Sequence, residues 1–296
     1  MVADTNRVIR RLRNELGRPA RFYRDVTWNR VRARGEPIDF MIPNPRRVRL
    51  LPEGQIPELL FKVHFEHTEL ALVAAFVTRG MHVVDIGANV GLYSVFTGRA
   101  VGPRGHVWGF EPSSHVVGLL ERNIALNGLE NVSVHKLALA AQAGRLELRR
   151  EANCRDGDRY LVGAATAEGA PAVGEGGDSE SVEVTTLDAF RAQDGRLSAH
   201  VDFLKMDVEG GELAVFQGAR ETLRANRDLV MMFESNRHVC ARAGHSQEEV
   251  FAVLEAEGFG LRAWDPTAWG WDSSRELLRT AGNVWAARDV TNLPLL

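Results

Sequence analysis

Lysine is almost missing from this chain: of 36 basic residues among 296, only Lys62, Lys136 and Lys205 are lysines. So lopsided a choice reads as a genome-wide codon bias toward arginine. It weakens any case for nucleic-acid binding that rests on arginine counts alone. Cysteine is scarce too. Cys154 and Cys240 fit a reducing cytoplasm and exclude a zinc cluster built on cysteine alone. His238, Cys240 and His245 lie near one another in sequence, yet isolated residues of these types serve packing or the surface more often than a metal. Nothing approaches the ~18 apolar residues of a membrane helix, so no membrane partner is expected. The opening MVADTNRVIRRLRNELGR lacks the apolar core of a secretory signal, and Asp4 and Glu15 interrupt its likeness to a transit peptide. It reads as a helix, and the expected location is the cytoplasm. Internal repeats and heptad arrays are missing as well.

What is present suits an ordinary globular protein: 45% hydrophobic and 25% charged residues, enough for one α/β domain of catalytic size with an N-terminal extension. Charge is unevenly spread. Residues 1–50 carry 13 arginines against five acids, so +8 sits there and −11 over the remainder of a chain whose net charge is −3. Such an arm could hold nucleic acid or a phosphorylated substrate. A solvated helix, or an inter-subunit helix in a homodimer, accounts for it more simply.

The chain is organised around Val83-Val84-Asp85-Ile86-Gly87-Ala88-Asn89-Val90-Gly91. Val83 to Ile86 reads as the end of a buried parallel strand, Gly87 and Gly91 frame a tight turn, and Leu92 to Arg99 reads as a helix. Strand, glycine turn and helix together set backbone N–H groups and a positive helix end beside a ligand's polar atoms. A dinucleotide turn, G-x-G-x-x-G, would need glycines at 89 and 92, where Asn89 and Leu92 stand. The pattern is instead D-x-G-x-x-x-G over Asp85, Gly87 and Gly91. The next strand, His106 to Pro112, ends in Glu111, 24 positions after Gly87, where a carboxylate can accept hydrogen bonds from both hydroxyls of a ribose.

Along the rest of the chain, helices are expected over 7–16, 19–34, 57–65 and 68–78, with a short hairpin or extended segment over 40–51. Glu66 and Glu69 precede the first core strand; either could reach a cofactor's amino group, with surface capping the plainer role. Ser113 to Asn127 is an amphipathic helix stopped by Asn127-Gly128. Val132 to Leu139 is expected as the third strand. The rhythm then breaks: Arg145 to Arg150 and Ser181 to Thr186 alternate as strands, and 157–180 between them reads as a loop, either a substrate lid or a surface excursion. Val201 to Glu212 runs from an apolar strand through Asp207 and Glu209 into a Gly210-Gly211 turn. Lys205 alternates with Asp207 and reads as one half of a structural ion pair. Leu229 to Phe233 is a fifth strand ending at Glu234, and Ser246 caps a helix to Glu257. Two closing strands, 259–264 and 283–288, enclose a loop whose Trp269 and Trp271 line a cleft or cover the sheet edge.

These segments resemble the FkbM-type S-adenosylmethionine-dependent methyltransferases: VVDIGANVGLYS (83–94), VWGFEPSS (107–114), NIALNGLENVSVHKLAL (123–139), TTLDAF (185–190) and DFLKMDVEGGELAVFQGA (202–219). The resemblance implies an α/β class I methyltransferase fold, a Rossmann-like sheet of seven mostly parallel strands with helices on both faces. Residues 1–80 would form a helical extension, and 81–296 the catalytic domain with an insertion at 140–200. It implies transfer of a methyl group to a hydroxyl of a sugar or secondary metabolite. Asp85, Gly87, Ala88, Asn89 and Gly91 would surround the methionine part of S-adenosylmethionine. Glu111, with Pro112 and Ser113, would take the ribose, Ala138 the adenine, and Asp207 the sulfonium end.

Two arrangements for the acceptor's proton stay open. In one, Asp207 or Glu234 is the base, with His238 as rival. In the other, Asp207, Glu209 and Glu234 hold Mg2+, which binds the acceptor oxygen. Alternatives of other classes are a nucleotide- or RNA-modifying methyltransferase using the basic arm, and a non-catalytic S-adenosylmethionine-binding module.

Overall fold

The computed structural model describes residues 26–42, 46–62, 65–150, 159–162, 179–197 and 200–296. The helix expected at 7–16, the start of the one at 19–34, Cys154 and most of the 157–180 loop lie outside the described residues.

In chain order, a helix over residues 26–34 (α1) and a hairpin of β1 (Ile38–Ile42) and β2 (Arg46–Leu50) lead to α2 (Gln55–Lys62) and α3 (His67–Phe76). Then β3 (His82–Ile86), α4 (Leu92–Val101), β4 (His106–Phe110), α5 (Ser114–Leu126) and β5 (Val132–His135) alternate. The short strands β6 (Ala138–Leu139), β7 (Gly144–Arg150), β8 (Arg159–Val162) and β9 (Ser179–Thr185) follow. Next come α6 (Leu187–Gln193), β10 (Phe203–Met206), α7 (Glu212–Gln217), α8 (Arg220–Ala225), β11 (Val230–Glu234), α9 (Arg237–Arg242) and α10 (Gln247–Ala256). The chain closes with β12 (Gly260–Asp265), β13 (Gly270–Asp272), α11 (Arg275–Thr280) and β14 (Asn283–Ala287).

The main sheet has the order β13-β12-β14-β11-β10-β3-β4-β5. The strands β5, β4, β3, β10 and β11 are mutually parallel, and β14 runs antiparallel between β11 and β12. Seven strands therefore take the expected arrangement, and β13 adds an eighth at the edge, antiparallel to β12. Central strands are buried on both faces, which is why they read as near-continuous apolar runs. Val83, Val107, Phe203 and Val230 build the core on one side, and their neighbours Val84, Trp108, Leu204 and Met231 build the other. After β3 the chain moves outward through β4 and β5, then returns to place β10 on the other side of β3. The carboxyl ends of β3 and β10 thus form a switch point, where open α/β sheets bind ligands.

Local signals explain the helix ends. Ser246 caps α10 and Glu249 reaches back in a capping box, and Thr186 caps α6 through the Ala189 amide. The expected third strand is corrected: it stops at His135, and Ala138–Leu139 leaves the main sheet to pair with β9. A second sheet results, in the order β6-β9-β7-β8, where two strands joined by a loop were expected. Trp271 lies at the edge of the main sheet against Trp264 and Trp285, with ring centroids 5.2 and 5.5 Å away, while Trp269 is exposed. Trp271 thus packs on the sheet edge. No helix among the described residues is long and apolar enough to cross a membrane.

Candidate active site

The turn after β3 is pinned by the strand beside it: the amides of Gly87 and Ala88 both donate to the Phe110 carbonyl at 2.9 Å. Gly87 is left-handed (φ 75°) and packs on the backbone of Asp207, leaving no room for a Cβ. Asn89 is left-handed as well (φ 49°), a conformation asparagine tolerates better than most residues. Its amide donates to Glu111 Oε2 at 3.1 Å, and the Ser113 amide donates to Oε1 at 2.9 Å. Glu111 is thereby clamped at the end of β4, with one lone pair on each oxygen already engaged.

A cavity of about 360 Å³ opens over these carboxyl ends, within the range of small-molecule sites. Of the residues singled out from the sequence, Gly87, Ala88, Asn89, Glu111, Pro112, Ala138, Asp207, Glu209 and Glu234 share its wall. Four others stand elsewhere. Asp85 lies beneath the floor, fully buried, accepting from Ser94 Oγ at 2.6 Å. Gly91 caps α4 and abuts Leu120. Ser113 is buried at the start of α5 and acts through its amide on Glu111. His238 is corrected as a candidate base: the chain turns at Ser235-Asn236 into α9, and His238 in its first turn is exposed and off the cavity wall.

At one end of the cavity, carboxylate oxygens of Asp207, Glu209 and Glu234 lie within 4.8 Å of one another. Glu234 is pushed up to about 9, first by burial and then by the charges of Asp207, Glu209 and Glu212. It therefore keeps its proton at neutral pH and is hydrogen-bonded to Asp207. Glu66, held left-handed before α3, also faces the cavity and is pushed up to about 7 by burial, with Lys205 opposing.

Beneath the acids stands Lys205, the register partner of Asp85 in the adjacent strand. Its Nζ is 3.6 Å from Asp207, 3.9 Å from Asp85 and 5.1 Å from the centre of the Tyr93 ring. Burial opposes its charge, but Asp207 and Asp85 overcome that and hold the ammonium above its ordinary range. The ion pair expected of Lys205 is present, and it reaches the cavity wall as well. Tyr93 was not foreseen. Its signal was available, since it lies one residue into the helix after the glycine turn.

Cys240 and His245 meet Glu212, within 4.8 Å of one another. Each has structural work there. His245 Nε2 lies 2.9 Å from the Gly210 carbonyl, and Glu212 accepts from the Val208 and Gly210 amides. Burial pushes the Cys240 thiol up to about 12, where it stays protonated.

A switch-point cavity with a glycine turn, a glutamate at the end of the neighbouring strand and an acidic far end sits in a fold of the class I S-adenosylmethionine-dependent methyltransferases. Residues 85–261 match the Methyltransferase FkbM domain, and the chain belongs to that family. It is 32% identical over 157 residues to Methyltransferase sdnD of Sordaria araneosa, covering 47% of this chain and 60% of that protein. With Methyltransferase 1 of Beauveria bassiana it shares 24% over 175 residues, covering 55% of this chain and 69% of the relative. A solved structure, Methyltransferase FkbM from Methylobacillus flagellatus KT, matches at 17% identity and a TM-score of 0.42, over 77% of this chain and 54% of that one.

Proposed function

We propose that this chain transfers the methyl group of S-adenosylmethionine to a hydroxyl of a small molecule such as a sugar or secondary metabolite. The observation that carries the proposal is the shared cavity: turn, Glu111 and the Asp207–Glu234 pair face the same space.

The donor set suits the cofactor. Glu111 presents its carboxylate at the cavity wall where ribose hydroxyls would lie, Leu137 to Leu139 offer apolar packing to a base, and the acids outnumber Lys205 where a sulfonium would lie. S-adenosylmethionine supplies a methyl carbon already made electrophilic by its sulfonium. The chain's part is chiefly to align the acceptor oxygen and exclude water, the larger share of the acceleration. Asp207 takes the hydroxyl proton. The protonated Glu234 donates to Asp207, and Lys205 pairs with Asp207 from beneath at 3.6 Å.

A second arrangement is favoured by one feature. Glu234 Oε2 is buried without a hydrogen-bond partner, beside two further carboxylates. Asp207, Glu209 and Glu234 would fit a divalent cation such as Mg2+, which would acidify a bound hydroxyl.

Calorimetry with S-adenosylmethionine, then S-adenosylhomocysteine release with hydroxyl acceptors, tests the proposal. Binding without release from any acceptor would mark a non-catalytic module. Undiminished turnover in excess EDTA would eliminate the cation. Replacing Arg7, Arg10, Arg11 and Arg13 by glutamine leaves acceptor capture intact on this proposal and weakens it for a nucleic-acid substrate.

A further inference from the structure

The cavity has a wall that the main sheet does not supply. Leu148 of β7 and Leu161 of β8 are cross-strand partners, so they share one face of the second sheet, and both reach the cavity. Leu148 also belongs to one core cluster with Ala138 and with Ala214 of α7, the helix that follows the loop carrying the acids. On the other face of β8, Tyr160 lies under the Arg242 guanidinium, 4.6 Å from ring centre to carbon. Arg242 is the last residue of α9. Its Nη2 is 3.7 Å from the Glu209 carboxylate and donates to the Glu209 carbonyl at 3.4 Å. One arginine thus joins the edge strand of the small sheet to the carboxylate loop of the large one.

Charge narrows what the wall can receive. Lys205 is the only cation among the described residues that line the cavity, and it is committed to Asp85 and Asp207. Arg242 is committed to Glu209 and Tyr160. A phosphate or carboxylate on the acceptor would meet Asp207 and Glu209 with no cation left to pair it, a juxtaposition that costs affinity and so discriminates.

We infer that Leu148 and Leu161 form the apolar side of the acceptor subsite, that Arg242 is the positioning residue locking this wall to Glu209, and that the acceptor is an uncharged or cationic hydroxyl compound with an apolar body. The acceptor part rests on the methyl-transfer proposal above.

The test uses the full chain saturated with S-adenosylhomocysteine, with 2-naphthol and 2-naphthyl phosphate as fluorescent probes. Wild type is expected to bind 2-naphthol saturably and the phosphate at least tenfold more weakly. L161N should lose at least tenfold in naphthol affinity, with S-adenosylhomocysteine affinity within twofold. R242Q and Y160A should raise amide exchange over 159–162 at least tenfold, and Y160F, which keeps the ring, should not. Naphthol binding that is absent from wild type, unchanged in L161N or matched by the phosphate overturns the acceptor class. A loss of S-adenosylhomocysteine binding in L161N, with naphthol unaffected, would give the wall to the cofactor. Unaltered exchange in R242Q overturns the positioning role. Failure of wild type to bind S-adenosylhomocysteine would instead defeat the methyl-transfer proposal, while the exchange readout still reports on Arg242.

Discussion

Gly87 and Asp207 interlock at the level of backbone: a Cβ on Gly87 would overlap the Asp207 carbonyl, whose own amide donates to Ile86 at 3.0 Å. The turn after β3 and the acid-bearing loop are therefore packed backbone against backbone. Gly87→Ala adds this collision to a φ of 75° that alanine resists. We expect about 2 kcal/mol or more of lost stability in urea denaturation and at least a tenfold loss of S-adenosylmethionine affinity by calorimetry. An alanine variant that unfolds and binds like wild type would show that the two loops are not so tightly joined.

On the proposed function, Asp207→Asn removes the proton acceptor while keeping the side chain's size. Release of S-adenosylhomocysteine with a hydroxyl acceptor should fall by roughly 10²–10⁴-fold, with cofactor affinity changed far less. His238→Ala is the control, since that ring is exposed and off the cavity wall; its turnover should stay within about twofold. The reverse pattern would move the base to α9.

Stability should depend on pH through Glu234. Its folded pKa, about 9, stands above the ordinary 4.5 because of burial and neighbouring acids. Between those values the folded chain holds a proton that the unfolded chain has released, so stability is greatest at the low end and declines as pH rises. The slope is at most about 1.4 kcal/mol per pH unit for one proton. Glu66, raised to about 7, adds to the decline over the lower part of the range. Urea unfolding in EDTA from pH 6 to 9 should show this loss, and Glu234→Gln should flatten its upper part. Identical slopes for wild type and variant would contradict the shared proton.

Lys205→Met takes from the buried Asp85 and from Asp207 at the strand end the cation that both share. Removing one partner of such a buried cluster costs about 3–5 kcal/mol. A clear drop in melting temperature, lessened at low pH where the carboxylates protonate, is the expected result. A variant as stable as wild type at every pH would mean that the Lys205 ion pairs add nothing to the fold.

The order of elements was legible in residues 83–135 and 201–234 because central parallel strands are apolar on both faces and their turns need glycine. Val83 to Ile86 and Phe203 to Met206 carry that signature in a few residues each. The same local chemistry showed that Ser246 caps a helix and that Gly87 begins a turn. Proximity in sequence misled where the chain reverses: His238 is four residues from Glu234, yet the turn into α9 points it away.

The sequence by itself determined the strand-turn-helix units and the acids at their ends, since period, glycine and capping act within a few residues. Tertiary structure alone decided which of those acids meet. Asp207 and Glu234 come together because β10 and β11 are parallel and in register. Tyr160 reaches Arg242 because a second sheet folds back over the first, across 82 positions of chain. Burial then sets the charge of Glu234 and Lys205, and burial exists only once the whole core has closed around them.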